Sequence, residues 1–128
     1  MITPGTILLY AVLAVIIVIY LRRYYLRLTI KQYTPTKLAE RMEANDVVLL
    51  DVRTTKERSV SSIGGSLHIP INELIAQREK LDKYKGKEIV CYCQTGSRSL
   101  VAAGRLKKFG FKVGNLSGGM GEWNYYYR

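Results

Sequence analysis

Cysteine and histidine are scarce in this chain, and charge is missing altogether from its first 21 residues. The two cysteines, Cys91 and Cys93, are too few and too close for a disulfide framework. A domain without such staples depends on its core, and its free thiols point to a reducing compartment. The one histidine, His68, gives the two thiols no partner at zinc-binding spacing, so neither a metal nor another cofactor is expected. A Cys–His pair would need that ring to reach across from another segment, and a structural role near a strand end is the simpler reading. Acidic residues number 10 against 20 basic ones, for a net charge of +10. That excess suits anionic partners such as nucleic acid, anionic lipid or small anionic substrates. Its distribution is scattered rather than striped, so nucleic acid is not an expected partner. Arg105, Lys107, Lys108 and Lys112 read as a solvated helix face.

What the N-terminus does contain is a continuous apolar run, residues 2–21 (ITPGTILLYAVLAVIIVIYL). As a helix it would span the roughly 30 Å hydrocarbon core of a bilayer. Pro4 suits a first helical turn, where its missing N–H is no loss. Tyr20, Tyr24 and Tyr25 fall where an aromatic belt would lie. A signal peptide carries positive charge before its apolar stretch and small residues at its end. Here no charge precedes the run, and Ile19, Tyr20 and Leu21 close it. The reading is a transmembrane helix over residues 1–23, a juxtamembrane linker over 24–31 with room to continue that helix for a turn or more, and a folded domain over 32–128. Arg22, Arg23, Arg27 and Lys31 behind the run predict that this side stays in the cytoplasm, with the N-terminus outside. The free thiols agree with that placement.

The remaining hundred or so residues alternate between strand and helix signals. Thr34-Pro35 opens a helix through Leu38, Ala39 and Met42, with Thr34 as N-cap. Val47–Leu50 is a short apolar run of the kind buried on both faces of a sheet. Leu67–Ile69 reads as a strand, Leu74–Leu81 as a helix, Glu88–Tyr92 as a strand, Ser99–Phe109 as a helix and Phe111–Leu116 as a last strand. Short links between alternating elements predict an α/β domain, a parallel sheet flanked by helices.

Between the Glu88–Tyr92 strand and the next helix lies Cys93-Gln94-Thr95-Gly96-Ser97-Arg98-Ser99. Ligands of open α/β sheets bind beyond the carboxyl ends of strands. A small-residue loop opening a helix turns several backbone N–H groups inward, and the helix dipole adds to the attraction for an anion. A cysteine at the base of such a loop has its pKa lowered, and as thiolate it is a nucleophile. Cys91, inside the strand, reads as a small core residue.

Four groups of residues now stand in order: Asp51-Val52-Arg53; Glu57 with Ile63-x-Gly65 and Ile69-Pro70; Cys93-x-x-Gly96-x-Arg98-Ser99; and Leu116-Ser117-Gly118-Gly119 with Trp123. Together they resemble the rhodanese-like family over about residues 32–124. Arg58, Ser61, Ser62 and Ser66 depart from its usual pattern, all in the turn before the second strand.

The resemblance implies a sulfurtransferase in which Cys93 takes a sulfane sulfur from a small anionic donor such as thiosulfate, or from a persulfide, and holds it as a persulfide. The sulfur then passes to cyanide, a thiol or a thioredoxin-like acceptor. Gln94, Thr95, Gly96, Ser97, Arg98 and Ser99 are its substrate-binding positions by the same resemblance, their backbone N–H groups facing the sulfur. Arg98 would anchor the donor's charge or order the loop. Asp51, Arg53 and Glu57 would brace the fold. Cell-cycle phosphatases share this fold but place five residues between cysteine and arginine, where this chain has four, so sulfur fits better than phosphate, and a phosphatase or arsenate reductase is the less favoured reading. Inactive docking relatives lose the cysteine, which is kept here; a membrane-tethered docking or sulfur-carrier module is the alternative.

Overall fold

The computed structural model describes residues 1–127; the expected domain end at residue 128 lies outside the described residues. Its first element is a 26-residue helix, α1 (Pro4–Thr29), capped by Thr3, whose hydroxyl accepts from the Thr6 N–H. None of its residues is buried. By length and composition it can cross a membrane, properties that a signal sequence near an N-terminus shares.

The segment expected as a linker, 24–31, is helical as far as Thr29 and enters strand β1 (Lys31–Tyr33) at Lys31. Packing explains why the helix continues. Ile30 is buried in the core, and Leu26 packs against the same cluster. Lys107 Nζ donates to the Thr29 carbonyl at 3.3 Å.

After β1 come α2 (Pro35–Glu43), β2 (Val47–Asp51), α3 (Thr55–Val60), β3 (Leu67–His68), α4 (Leu74–Gln77), β4 (Glu88–Tyr92), α5 (Ser97–Lys108), β5 (Val113–Leu116) and α6 (Gly119–Tyr126). The five strands form one parallel sheet in the order β1-β5-β4-β2-β3, with β4 at its centre. This is the expected α/β class. One face is filled by Leu50, Ile89, Cys91, Leu100, Ala103 and Leu106, beneath α5 and the end of α1. The other is filled by Tyr33, Leu38, Leu49, Val90, Leu116 and Met120, beneath α2 and α6.

Several local expectations shift. The helix read over Leu74–Leu81 is a single α-turn, α4, between two 3-10 segments, Ile71–Glu73 and Arg78–Tyr84. The last strand begins at Val113 rather than Phe111, because Gly110 (φ +87) is still turning the chain while Phe111 is already buried. Neither α3 nor α6 is evident from periodicity, since each is only 6–8 residues long.

The start of α6 is what holds the Cys93 loop from above. Met120 N–H donates to the Cys93 carbonyl at 2.9 Å, and Gly121 N–H to the Gln94 carbonyl at 3.2 Å. Gly118 and Gly119 make this approach with φ of +78 and +57, and a Cβ on Gly119 would fall on the Cys93 carbonyl oxygen. A left-handed non-glycine residue alone costs about 1–3 kcal/mol. Gly119→Ala should therefore lower the unfolding free energy of the detergent-solubilised chain by at least about 1 kcal/mol, read as an earlier denaturation midpoint. An unchanged midpoint would mean that α6 does not close on the loop.

Candidate active site

Cys93 follows the last residue of the central strand, and its Sγ is enclosed by the turn into α5. Gly96 N–H donates to it at 3.1 Å and the Ser99 hydroxyl approaches to 3.4 Å. Gly96 caps α5 with φ +94, a left-handed conformation that turns its amide back onto the sulfur. Burial of the thiol would by itself raise its pKa. The hydrogen bonds outweigh it: the Ser99 hydroxyl and the amides of Ser99, Thr95 and Gly96 bring Cys93 below its ordinary value. Cys91, two residues back on the strand, has no such donors, and burial pushes it up to about 12. Two neighbouring thiols are thus separated into one poised to ionise and one inert.

The six loop positions divide by exposure. Gln94 and Thr95 are exposed, Ser97 and Arg98 half-buried, and Gly96 and Ser99 buried. Gly96 and Ser99 meet the sulfur directly, and Thr95 contributes its amide. Arg98 points to Glu57, with Nη1–Oε1 at 2.7 Å and Nη2–Oε2 at 2.8 Å. Glu57 also closes a capping box on α3, accepting from the Thr54 N–H at 3.3 Å. The Arg98 hydrogen bond chiefly, against partial burial and with help from Thr54, brings the Glu57 carboxyl down to about 2. A depressed carboxylate contributes its stability above its unfolded value and loses it as pH falls through the folded one. The tie between α3 and α5 therefore holds throughout the neutral range and weakens only toward pH 2.

Asp51 and Arg53 lie beneath the loop, both essentially buried. The guanidinium donates to Asp51 through Nε (3.0 Å) and Nη2 (2.9 Å), then to the Ser61 carbonyl at 2.6 Å, while Nη1 reaches Gln94 Oε1 at 3.5 Å. The residues that depart from the family pattern join this network. Arg58 donates to Asp51 at 3.3 Å and to Ser66 Oγ at 3.0 Å, and Ser66 shares a 2.8 Å hydrogen bond with the Tyr92 hydroxyl. His68 is structural, its Nε2 donating to the Arg53 carbonyl at 2.7 Å.

Asn115 escaped the sequence reading. It is buried on β5, accepts from the Ser99 hydroxyl at 2.6 Å, and donates to the Gly96 carbonyl at 3.2 Å and to Gln32 Oε1 at 3.0 Å. It thereby fixes both residues that touch the sulfur. The available signal was a polar residue within an apolar strand, because buried polar groups are almost always hydrogen-bonded.

A parallel α/β sheet with a hydrogen-bonded thiol at the carboxyl end of its central strand defines a reactive-cysteine domain of the α/β class. Residues 34–125 match the family described as "Rhodanese-like domain", and the chain belongs to it. Among curated relatives, YtwF of Bacillus subtilis is 36% identical over 95 residues, covering 73% of this chain and 90% of that protein. A sulfurtransferase of Allochromatium vinosum is 32% identical over 88 residues, covering 67% of this chain and 80% of its own length. The domain also forms a smaller part of longer proteins. Against the tRNA uridine(34) hydroxylase of Staphylococcus haemolyticus, identity is 35% over 98 residues, covering 73% of this chain but 31% of that one. A solved rhodanese-related protein from Thermoplasma volcanium superposes with a TM-score of 0.69 at 28% identity, covering 74% of this chain and 91% of that one. At the level of the family, this is a rhodanese-type sulfurtransferase domain.

Two outcomes follow from the geometry. A thiolate absorbance titration near 240 nm should show one thiolate forming below the ordinary thiol range of about 8.5, and Cys93→Ser should abolish that step. Two equal steps in the alkaline range would contradict the unequal environments. Asp51→Ala leaves Arg53 buried without its partner, and removing one partner of a buried pair costs about 3–5 kcal/mol. Denaturant unfolding should register that loss, and a change below 1 kcal/mol would show the pair to be solvated.

Proposed function

We propose that this chain is a membrane-anchored sulfurtransferase that moves a sulfane sulfur through a persulfide on Cys93. The Cys93 thiolate attacks the outer sulfur of a donor such as thiosulfate. The donor's S–S bond breaks, sulfite leaves with the bonding pair, and Cys93 carries –S–S⁻. A thiolate or cyanide then attacks the terminal sulfur, the new S–S bond breaks, and the Cys93 thiolate returns as the persulfide or thiocyanate product departs. This is a two-step covalent cycle in which the nucleophile is regenerated.

The observation that carries the reading is the set of donors on the Cys93 sulfur, the Gly96 amide at 3.1 Å and the Ser99 hydroxyl at 3.4 Å, at the N-terminus of the 12-residue helix α5. Donors already aimed at an anion need no reorganisation as charge shifts between the sulfur atoms. Arg98 has two of its nitrogens committed to Glu57, so its role in this mechanism is to order the loop. Anchoring by residues 2–21, with the domain on the cytoplasmic side, completes the proposal. It is motivated by the exposed apolar helix α1 and the arginines that follow it.

Intact mass spectrometry of the full chain after thiosulfate treatment should show one added sulfur that a reductant removes, and none in Cys93→Ser. Failure of every donor to leave an adduct on the folded chain would favour a docking module. Arg98→Ala should slow transfer from thiosulfate and from an uncharged persulfide by similar factors; a loss confined to thiosulfate would restore Arg98 as a charge anchor.

A further inference from the structure

The exit direction of α1 has a bearing on where substrates meet Cys93. Leu26 lies so close to α5 that a Cβ at Gly104 would come within 2.7 Å of Leu26 Cδ2. One turn later the Thr29 carbonyl receives Lys107. Residue numbers thus rise together on the two helices, which run parallel. The connectivity says the same: β1 follows α1 after Ile30 alone and pairs in parallel with β5, so α1 runs against the strands. Followed back toward its N-terminus, α1 therefore leaves the domain past the carboxyl edge of the sheet. That edge is the one carrying the Cys93 loop.

The heights agree. From Lys107 back to Ser97, α5 rises about 15 Å toward that edge, while α1 rises only about 10 Å from Thr29 back to Arg22. The apolar run ending at Leu21 consequently begins about 5 Å short of the level of the Cys93 loop, so the loop lies beside the run's last turn rather than far from it. The surface chemistry differs between the two edges as well. The connections leaving the strands are Thr34, Val52–Thr54, Ile69-Pro70, Cys93–Gly96 and Ser117-Gly118. Their one charged residue is Arg53, buried against Asp51, and the first helix turns that follow add Lys37, Lys56 and Glu122 together with the paired Glu57 and Arg98, a nearly balanced set. On the opposite edge, the connection at 61–66 is uncharged, those at 44–46, 85–87 and 109–112 carry Asp46, Lys85, Lys87 and Lys112, and the last turns of α5 add Arg105, Lys107 and Lys108, a net basic set.

We infer that the Cys93-bearing edge of the sheet docks on the lipid headgroup layer, so that sulfur donor and acceptor reach Cys93 along the bilayer surface. The inference builds on the anchored reading of α1 and adds an orientation to it. Hydroxyl and amide side chains (Thr34, Thr54, Gln94, Thr95, Ser117) suit hydrogen bonding to headgroups, and Arg22 and Arg23 meet the phosphates where the helix leaves the apolar layer.

The test places one tryptophan at either edge of the full chain, using Thr36→Trp beside the site edge and Lys85→Trp on the far edge, both with Trp123→Phe. Each variant is reconstituted in phosphatidylcholine–phosphatidylglycerol vesicles containing a lipid with a headgroup nitroxide. Quenching of Thr36→Trp at least threefold stronger than that of Lys85→Trp is the expected result. Equal quenching, or stronger quenching at Lys85, would overturn the orientation while leaving the anchor in place. Failure of the chain to float with the vesicles would remove the anchor itself, and the orientation with it. Retained sulfur transfer in both variants verifies that the fold is intact.

Discussion

A sulfur atom can be held as an anion inside a protein only if hydrogen-bond donors replace the water it has lost, and the Cys93 loop is built around that requirement. Burial alone would make Cys93 as inert as Cys91, which it pushes up to about 12. The difference comes from the turn after β4. There the chain stops pairing with its neighbours, Gly96 takes a left-handed conformation, and the first amides of α5 face backward onto the sulfur. Strand, turn and helix each supply a necessary part: the strand fixes the Cα, the glycine allows the reversal, and the helix leaves its first N–H groups free.

Around this centre each neighbouring element holds one side of the loop. Asn115 on β5 secures Ser99 and the Gly96 carbonyl, α6 takes the Cys93 and Gln94 carbonyls, and Glu57 on α3 takes Arg98. Asp51 and Arg53 support it from below, with Arg58, Ser66 and Tyr92 completing their hydrogen bonds. The result is a loop over-determined by its surroundings, as the proposed sulfur transfer would require of the groups facing Cys93. Arg58 and Ser66 show that a departure from a family pattern need not loosen a structure. Here Arg58 adds a donor to the Asp51 carboxylate beside Arg53, and Ser66 holds Arg58 and the Tyr92 hydroxyl in place.

Much of this was legible in the sequence. Apolar runs at Val47–Leu50 and Glu88–Tyr92 are central strands because both of their faces are covered, and Thr34-Pro35 begins a helix because its chemistry satisfies the first turn. The loop from Cys93 to Ser99 was legible from its small residues between strand and helix signals. Less visible were features set by contacts distant in sequence. Asn115 is a lone polar residue in a strand until Ser99 and Gln32 are brought beside it. The bidentate pair of Glu57 and Arg98 joins residues 41 apart. That Tyr24–Thr29 could continue the helix was open in the sequence; that it does so follows from the places Leu26 and Ile30 find on α5 and the sheet, a tertiary gain that local pattern does not encode.

The central claim is that a transferred sulfur is held by the amides of this loop, and ¹⁵N-resolved NMR of the full chain in detergent micelles tests it directly. Addition of thiosulfate should move the amide resonances of Thr95, Gly96 and Ser99, leave those of Lys85 and Lys87 in place, and be reversed by cyanide. If the persulfide mass forms while the three loop amides stay unmoved, the sulfur is carried outside the cradle and the account is wrong.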